Sequence, residues 1–220
     1  MITVIGNLKG GTGKSTLVVN LALWLAYHGR SVSIHDLDPQ GTLTDTVDVR
    51  SEEGHEPALT VSASLPARSK AECLVDVGTS DMDALTKALG RAGRIIMPVT
   101  PSQADVWSTQ RFLEIIEEAT GSRKKKPELL VFLNRADTHH LTRENDEALE
   151  ALGQLDNIML LKSRLSHRID FRRSFSEGLS VFELNPSGKA AAEIEALARE
   201  IYGDDEPAKK TGKRKKKKKH

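Results

Sequence analysis

The sequence predicts an α/β fold: one domain with a mostly parallel central sheet and helices on both faces. Three observations predict it. Short β-rich runs alternate with helix-length segments along most of the 220 residues, the rhythm of parallel strands joined by crossover helices. A glycine-rich segment, Lys9-Gly10-Gly11-Thr12-Gly13-Lys14-Ser15, sits at a strand-to-helix junction. Two strands run into aspartates, Asp36 and Asp76, which puts carboxylates at the sheet edge where ligands of open α/β sheets bind. The length suits one such domain with a real core and hardly suits two.

In chain order, Ile2–Ile5 reads as a strand ending at Gly6. Residues Lys14–His28 read as a helix with Leu17, Leu21, Trp24 and Leu25 on one face, stopped by Gly29. Ser31–Ile34 is a strand that leads into His35-Asp36-Leu37-Asp38-Pro39. Residues 50–70 are the least patterned stretch. Cys73–Val77 is an apolar strand, Asp81–Arg91 a helix and Arg94–Val99 a strand. Pro101–Thr120 is a long helix opened by proline. Leu129–Leu133 is a strand, Thr142–Leu152 a helix and Ile158–Leu161 the last strand. Pro186–Ile201 closes the domain as a helix with Ile194, Leu197, Ala198 and Ile201 inward. The domain is expected over 1–203, with 204–220 a Lys-rich tail of low complexity, expected to be disordered alone.

Composition narrows the class. Cys73 is the single cysteine, which excludes a disulfide framework and a cysteine-held cluster and points to a reducing cytoplasm. No run of about 18 apolar residues offers a membrane span, and the first residues lack the basic start of a signal peptide. The net charge of +1 hides an asymmetry, since residues 204–220 carry nine Lys/Arg against three acids. A mildly acidic body with a basic tail suggests a polyanion partner.

The glycine-rich segment carries the chemistry. Glycines let successive N–H groups turn toward phosphate oxygens, and the helix opening at Lys14 adds its dipole. Lys14 is placed to reach the β- and γ-phosphates of a nucleotide, and the Ser15 hydroxyl to ligate Mg²⁺. These features make the domain a P-loop NTPase. Gly10, Gly11, Thr12, Gly13, Lys14, Ser15 and Thr16 form the expected phosphate cradle. The usual motif wants glycine five residues before Gly13, where this chain has Leu8, and it carries an extra lysine, Lys9.

With Lys9 and Gly10-Gly11, the segment resembles the deviant Walker A motif of the ParA/MinD family. Asp36-Leu37-Asp38-Pro39-Gln40-Gly41 resembles that family's switch I, and Cys73–Gly78 its Walker B strand and switch II, although Val77-Gly78-Thr79-Ser80 matches only loosely. Ile96–Ser102 and Gly178–Glu183 resemble motifs of the short partition ATPases, so the resemblance covers nearly all of 1–202. It implies an ATPase that dimerises on ATP. Lys9 would then reach the partner's nucleotide as an arginine finger does. Asp36 and Asp76 would hold Mg²⁺, mostly through water, and Asp38 would organise the attacking water. Asn134 fits the position that contacts adenine, with Arg135 beside it. Asn134-Arg135-Ala136-Asp137 can also be read against the guanine-selecting Asn-Lys-x-Asp signature; the other motifs favour ATP, and Asp137 reads better as a turn or cap residue.

The resemblance also implies non-specific DNA, the nucleoid, as a partner. Lys162, Arg164, Arg168, Arg172 and Arg173 fall where the family carries DNA-contacting basic residues; a solvated face with structural ion pairs is the alternative for them. No helix-turn-helix region precedes the first strand, which matches the small ParA type. The missing cysteines argue against the nitrogenase iron protein. The absence of an apolar face in the terminal segment argues against membrane attachment of the MinD kind. The expected function is to partition or position a cargo, such as a plasmid, a chromosome origin or a carboxysome, with hydrolysis stimulated by a ParB- or ParG-like or cargo-adaptor protein. Two rivals remain: a conjugation accessory ATPase that binds one DNA element, and an ATP-dependent small-molecule ligase of the same fold.

Overall fold

The computed structural model describes residues 1–66, 70–138 and 143–203; the tail at 204–220 lies outside them. The elements in order are β1 (Ile2–Ile5), α1 (Lys14–Tyr27), β2 (Val32–Asp36), α2 (Thr42–Glu52), β3 (Val61–Ser62), β4 (Glu72–Asp76), α3 (Met82–Arg91), β5 (Arg94–Val99), α4 (Gln103–Thr120), β6 (Glu128–Leu133), α5 (Glu144–Gly153), β7 (Met159–Leu160), α6 (Ile169–Ser176), α7 (Val181–Leu184) and α8 (Lys189–Tyr202). Every strand pairing is parallel, in a seven-stranded sheet ordered β3-β2-β4-β1-β5-β6-β7. The predicted fold class is what the chain adopts.

The sheet is covered on both faces. One core unites α1 and α8 with residues of α2 and α7; Leu21, Leu74, Phe132 and Ile194 are wholly buried in it. The other unites α3, α4 and α5 around Val75, Leu89, Ile95 and Val131. A parallel sheet buried on both faces needs nearly continuous apolar strands, and all five residues of β4 are buried.

The differences from the sequence reading have local causes. Helix α1 is no one-faced helix, because every residue from Leu17 to Leu25 is buried. The long helix does not open at Pro101. It starts at Gln103, where the Ser102 side chain accepts the Asp105 N–H as a cap. The last helix opens at Lys189 rather than Pro186. Helix α2 had no predicted counterpart; it buries Leu43, Thr46, Val47 and Arg50 at helical spacing.

Helix α2 is anchored by an ion pair that sequence separation conceals. Arg50 is 1% exposed. Its guanidinium donates to both Glu183 oxygens (2.8 and 3.1 Å), to the Gly178 carbonyl and to the Pro57 carbonyl. Glu183 also closes a capping box with Ser180 at the start of α7. Burial alone would raise the Glu183 carboxyl, but Arg50 and Ser180 together hold it below its ordinary value.

Candidate functional site

The site lies at the C-terminal edge of β1, β2 and β4. Register places the edge residues together: Ile5 pairs with Asp76, and Asp36 pairs with Asp76. Strand β1 lies between β4 and β5, so chain leaving it enters the crevice in which such sheets bind ligands.

The loop from Gly6 to Gly13 is pinned from both sides. Asn7 is buried, donates to the Pro98 carbonyl and accepts the Lys9 N–H. Asn134, at the end of β6, donates to the Thr12 carbonyl at 2.6 Å and accepts the Arg135 N–H. Gly13 has φ 86°, and a Cβ there would stand 2.6 Å from the Asn134 amide, so both its backbone angle and its neighbour require glycine. Asn134 therefore braces the P-loop as well as lining the cleft. Asn7 carried no recognisable motif signal.

Lys14 is buried, with its ammonium 3.2 Å from the Lys9 carbonyl. Burial lowers it below its ordinary value, against the pull of Asp76 and Asp38. An amine kept short of counter-charge suits incoming phosphates. Asp76 is the complementary case. Burial pushes its carboxyl up to about 6, against a hydrogen bond from Ser15 and the charge of Lys14, while Asp36 and Asp38 push the same way. One Asp76 oxygen is buried without a hydrogen-bond partner. Asp36 accepts the Asp38 N–H on one oxygen and both the N–H and hydroxyl of Thr44 on the other, so it also ties switch I to the first turn of α2.

These groups fit Mg²⁺. Among the described residues no cluster of three or more His, Cys, Asp or Glu side chains stands ready to cage a metal. Mg²⁺ prefers one or two carboxylates with waters and substrate phosphates, and Ser15 with the orphaned Asp76 oxygen offers that. Asp38 faces the second switch: a Cβ on Gly78 would clash with the Asp38 carboxylate. Glycine at 78 is thus what lets the two switches meet, and the loose motif match around it hid that constraint.

Lys9 does not point into its own cleft. Its ammonium pairs with Asp105 at 2.9 Å; the lysine side chain is 41% exposed and the carboxylate 6%. Burial alone would raise the Asp105 carboxyl, but hydrogen bonds from Ser102, Lys9 and Thr100 and the Lys9 charge hold it below the ordinary carboxylate range.

Two hollows of about 330 Å³ each share Gly13, Thr16, Arg135 and Phe175 and form one cleft. The phosphate side carries Gly10, Gly11, Lys14, Ser15, Asp38 and Gly78. The other side, where a base would lie if the phosphates occupy the loop, carries Asn134, Ser166, His167, Arg168, Phe171 and Arg172. Arg135, which lines both, has φ 54°, a left-handed conformation that side chains rarely adopt and that clusters at ligand sites. Arg168 and Arg172 therefore border the nucleotide cleft. Arg168 is also paired with Glu193 at 2.7 Å, whereas Arg164, Arg172 and Arg173 are exposed. Asp137 exchanges backbone bonds with the Asn145 side chain, in keeping with the turn reading.

The raised Asp76 carboxyl gives a pH prediction. Folding lifts this acid from its ordinary 3.8 to about 6. The stability it contributes is therefore present below 3.8 and lost as pH rises through 6. Ligand-free protein gains from this group on acidification from pH 7 to 5. A Mg²⁺ ion served by Asp76 would need the carboxylate, so its binding should lose about tenfold per pH unit below 6. Thermal melts at pH 7 and pH 5, with and without Mg²⁺-nucleotide, check this: the ligand-induced rise in Tm should shrink at pH 5. An equal rise at both values removes Asp76 from the metal site.

The strand-end carboxylates, pinned glycine loop and buried lysine define a P-loop nucleotide-binding protein. The family model for the CobQ/CobB/MinD/ParA nucleotide-binding domain matches residues 3–181, and the chain belongs to that ATP-binding family. It is 30% identical over 210 residues to the maintenance of carboxysome distribution protein A of Halothiobacillus neapolitanus, covering 90% of this chain and 94% of that one. A 50-residue stretch is 50% identical to the chromosome-partitioning ATPase Soj of Thermus thermophilus, covering 23% of this chain and 20% of that one. Among solved structures, apo McdA of Cyanothece superposes with a TM-score of 0.75 at 18% identity, covering 91% of this chain and 98% of that one. A plasmid partition protein of Borrelia burgdorferi bound to AMPPNP superposes with a TM-score of 0.70 at 20% identity, covering 91% and 97%. At those identities the structures speak for the fold. No helix among the described residues is long and apolar enough to cross a membrane.

Proposed function

We propose that this chain is a Mg²⁺-dependent ATPase that dimerises on ATP, binds non-specific DNA and positions or partitions a cargo, with hydrolysis stimulated by an adaptor protein. The observation that carries the reading is Lys9. It is half-exposed, next in the chain to Gly10 of the phosphate-side hollow, and its ammonium is held by Asp105 instead of turning into its own cradle. A lysine so placed can exchange Asp105 for the γ-phosphate of a second copy, which is what a sandwich dimer requires.

The geometry supports the following roles. The P-loop and Lys14 hold the phosphates, Ser15, Asp36 and Asp76 serve Mg²⁺, and Asp38 positions water. When bound, Mg²⁺ would supply charge neutralisation on the nucleotide's phosphates. The exposed Arg164, Arg172 and Arg173 supply phosphate contacts to DNA, doubled in a dimer. The full-length similarity to a carboxysome distribution protein favours a protein compartment as cargo over a plasmid or chromosome origin. The place of action is the nucleoid in the cytoplasm.

Lys9→Ala tests this. Monomer affinity for ATP should stay within about threefold, because Lys14 and the loop N–H groups remain. Turnover should fall by about 10³ or more, the scale of a missing arginine finger. ATP should no longer raise either the dimer fraction in size-exclusion chromatography or DNA affinity by anisotropy. Wild-type turnover by the variant would end the trans-lysine reading.

A further inference from the structure

The base side of the cleft is walled by the strap at 165–168, and that strap is fastened to α8. Three successive N–H groups on it are spent. Leu165 donates to the Leu133 carbonyl at 3.0 Å and His167 to the Ala136 carbonyl at 2.9 Å. These two bonds prolong the sheet and come with the fold. The third is different in kind: the Ser166 N–H donates to a side chain, Glu193, at 2.9 Å. The other Glu193 oxygen takes the Ser166 hydroxyl at 2.8 Å and the Arg168 guanidinium at 3.0 and 2.7 Å. One carboxylate thus absorbs donors from both Ser166 and Arg168. The Ser166 carbonyl accepts none of these bonds.

That allocation bears on which base the cleft takes. At C6, adenine presents an amino donor and guanine a carbonyl acceptor. A pocket edge with free N–H groups welcomes the carbonyl, whereas one whose donors are consumed leaves it unpaired, and an unpaired buried polar group is costly. We infer that Glu193 is the specificity-positioning residue of this site: by taking up the N–H and hydroxyl of Ser166 and the Nε and Nη2 groups of Arg168, it withdraws those donors from the strap that walls the base, and so favours adenine over guanine. The inference rests on the reading of this cleft as a nucleotide site and adds how the base is chosen. Nothing in the sequence around 193 marks it, since a glutamate on the outer side of an amphipathic helix is an ordinary surface residue.

The test is competition of ATP, GTP, inosine triphosphate and tripolyphosphate against a fluorescent ADP analogue bound to the full-length protein with Mg²⁺. Wild type should prefer ATP over GTP by at least about tenfold, the scale of one frustrated hydrogen bond to a buried group. It should reject inosine triphosphate, which carries the C6 carbonyl, as strongly as GTP. Glu193→Ala should lower the ATP-to-GTP preference about tenfold and leave tripolyphosphate affinity unchanged. Glu200→Ala is the structural control. Glu200 lies on the same helix and accepts the N–H groups of Lys162 and Ser163, outside the base-side lining; its loss should cost stability and leave the preference intact. Glu193→Gln, which keeps an acceptor for the Ser166 N–H, should retain most of the preference. If wild type does not prefer ATP, the ATP reading of the cleft fails. If wild type prefers ATP and Glu193→Ala keeps the same ratio, the Glu193 inference fails. Acceptance of inosine triphosphate like ATP overturns it too, even should Glu193→Ala not fold, because selection would then be at C2.

Discussion

Lys14→Ala is expected to lose ATP affinity by roughly 30- to several thousand-fold, the 2–5 kcal/mol that follow from removing one member of a desolvated charge pair. The expectation has two sources. The Lys14 ammonium lies in the cleft with one protein acceptor, the Lys9 carbonyl at 3.2 Å, so bound phosphates would be its main counter-charge. Its removal also leaves Asp76 and Asp38 facing the triphosphate with less positive charge between them. Calorimetric titration with ATP and Mg²⁺ measures the effect. Circular dichroism should show a folded protein, because the side chain lines a cleft and fills no core. Retention of affinity within a factor of three would mean that the nucleotide is held elsewhere.

Arg50→Ala is expected to be strongly destabilising although it lies away from the cleft. It removes one half of a buried pair and leaves Glu183 without its guanidinium, a loss of about 3–5 kcal/mol. For a domain of this size that lowers Tm by roughly 6–20 °C. Pairing the change with Glu183→Leu should recover part of the loss, since an apolar pair can replace a buried ionic one where a lone charge cannot persist. Thermal melts of the two variants decide it. A double variant no more stable than Arg50→Ala would assign the loss to the bonds from Arg50 to the Gly178 and Pro57 carbonyls and to the Ser180 cap that Glu183→Leu also removes, instead of to the stranded carboxylate.

The parts of this molecule that were legible in the sequence are those whose physics is local. A strand followed by glycines, Lys14 and Ser15 specifies a phosphate cradle within seven residues, and the strand-end positions of Asp36 and Asp76 specify one sheet edge. The parts that were not legible join distant segments. Asp105 lies 96 positions from Lys9, Glu183 lies 133 from Arg50, and Glu193 lies 27 from Ser166; no spacing rule links such pairs. Asn134 illustrates a residue with two readings. Its resemblance implied contact with the base, and the structure also makes it a brace on Thr12. Helix α2 is a different case. Its inward residues at 43, 46, 47 and 50 have helical period, but the threonines and valines of Thr42–Val49 are weak helix formers and masked the pattern.

The enclosure of α1 has a consequence for how the molecule moves. Its nine residues from Leu17 to Leu25 are buried on every side, so a rigid shift of this helix would have to disrupt a close-packed core. Work done by a nucleotide at the P-loop is therefore delivered to the rim: switch I, the Gly78 turn and the strap before α6. The helix that begins at the phosphates serves as the fixed frame, and the conformational travel of the protein belongs to the loops that face it.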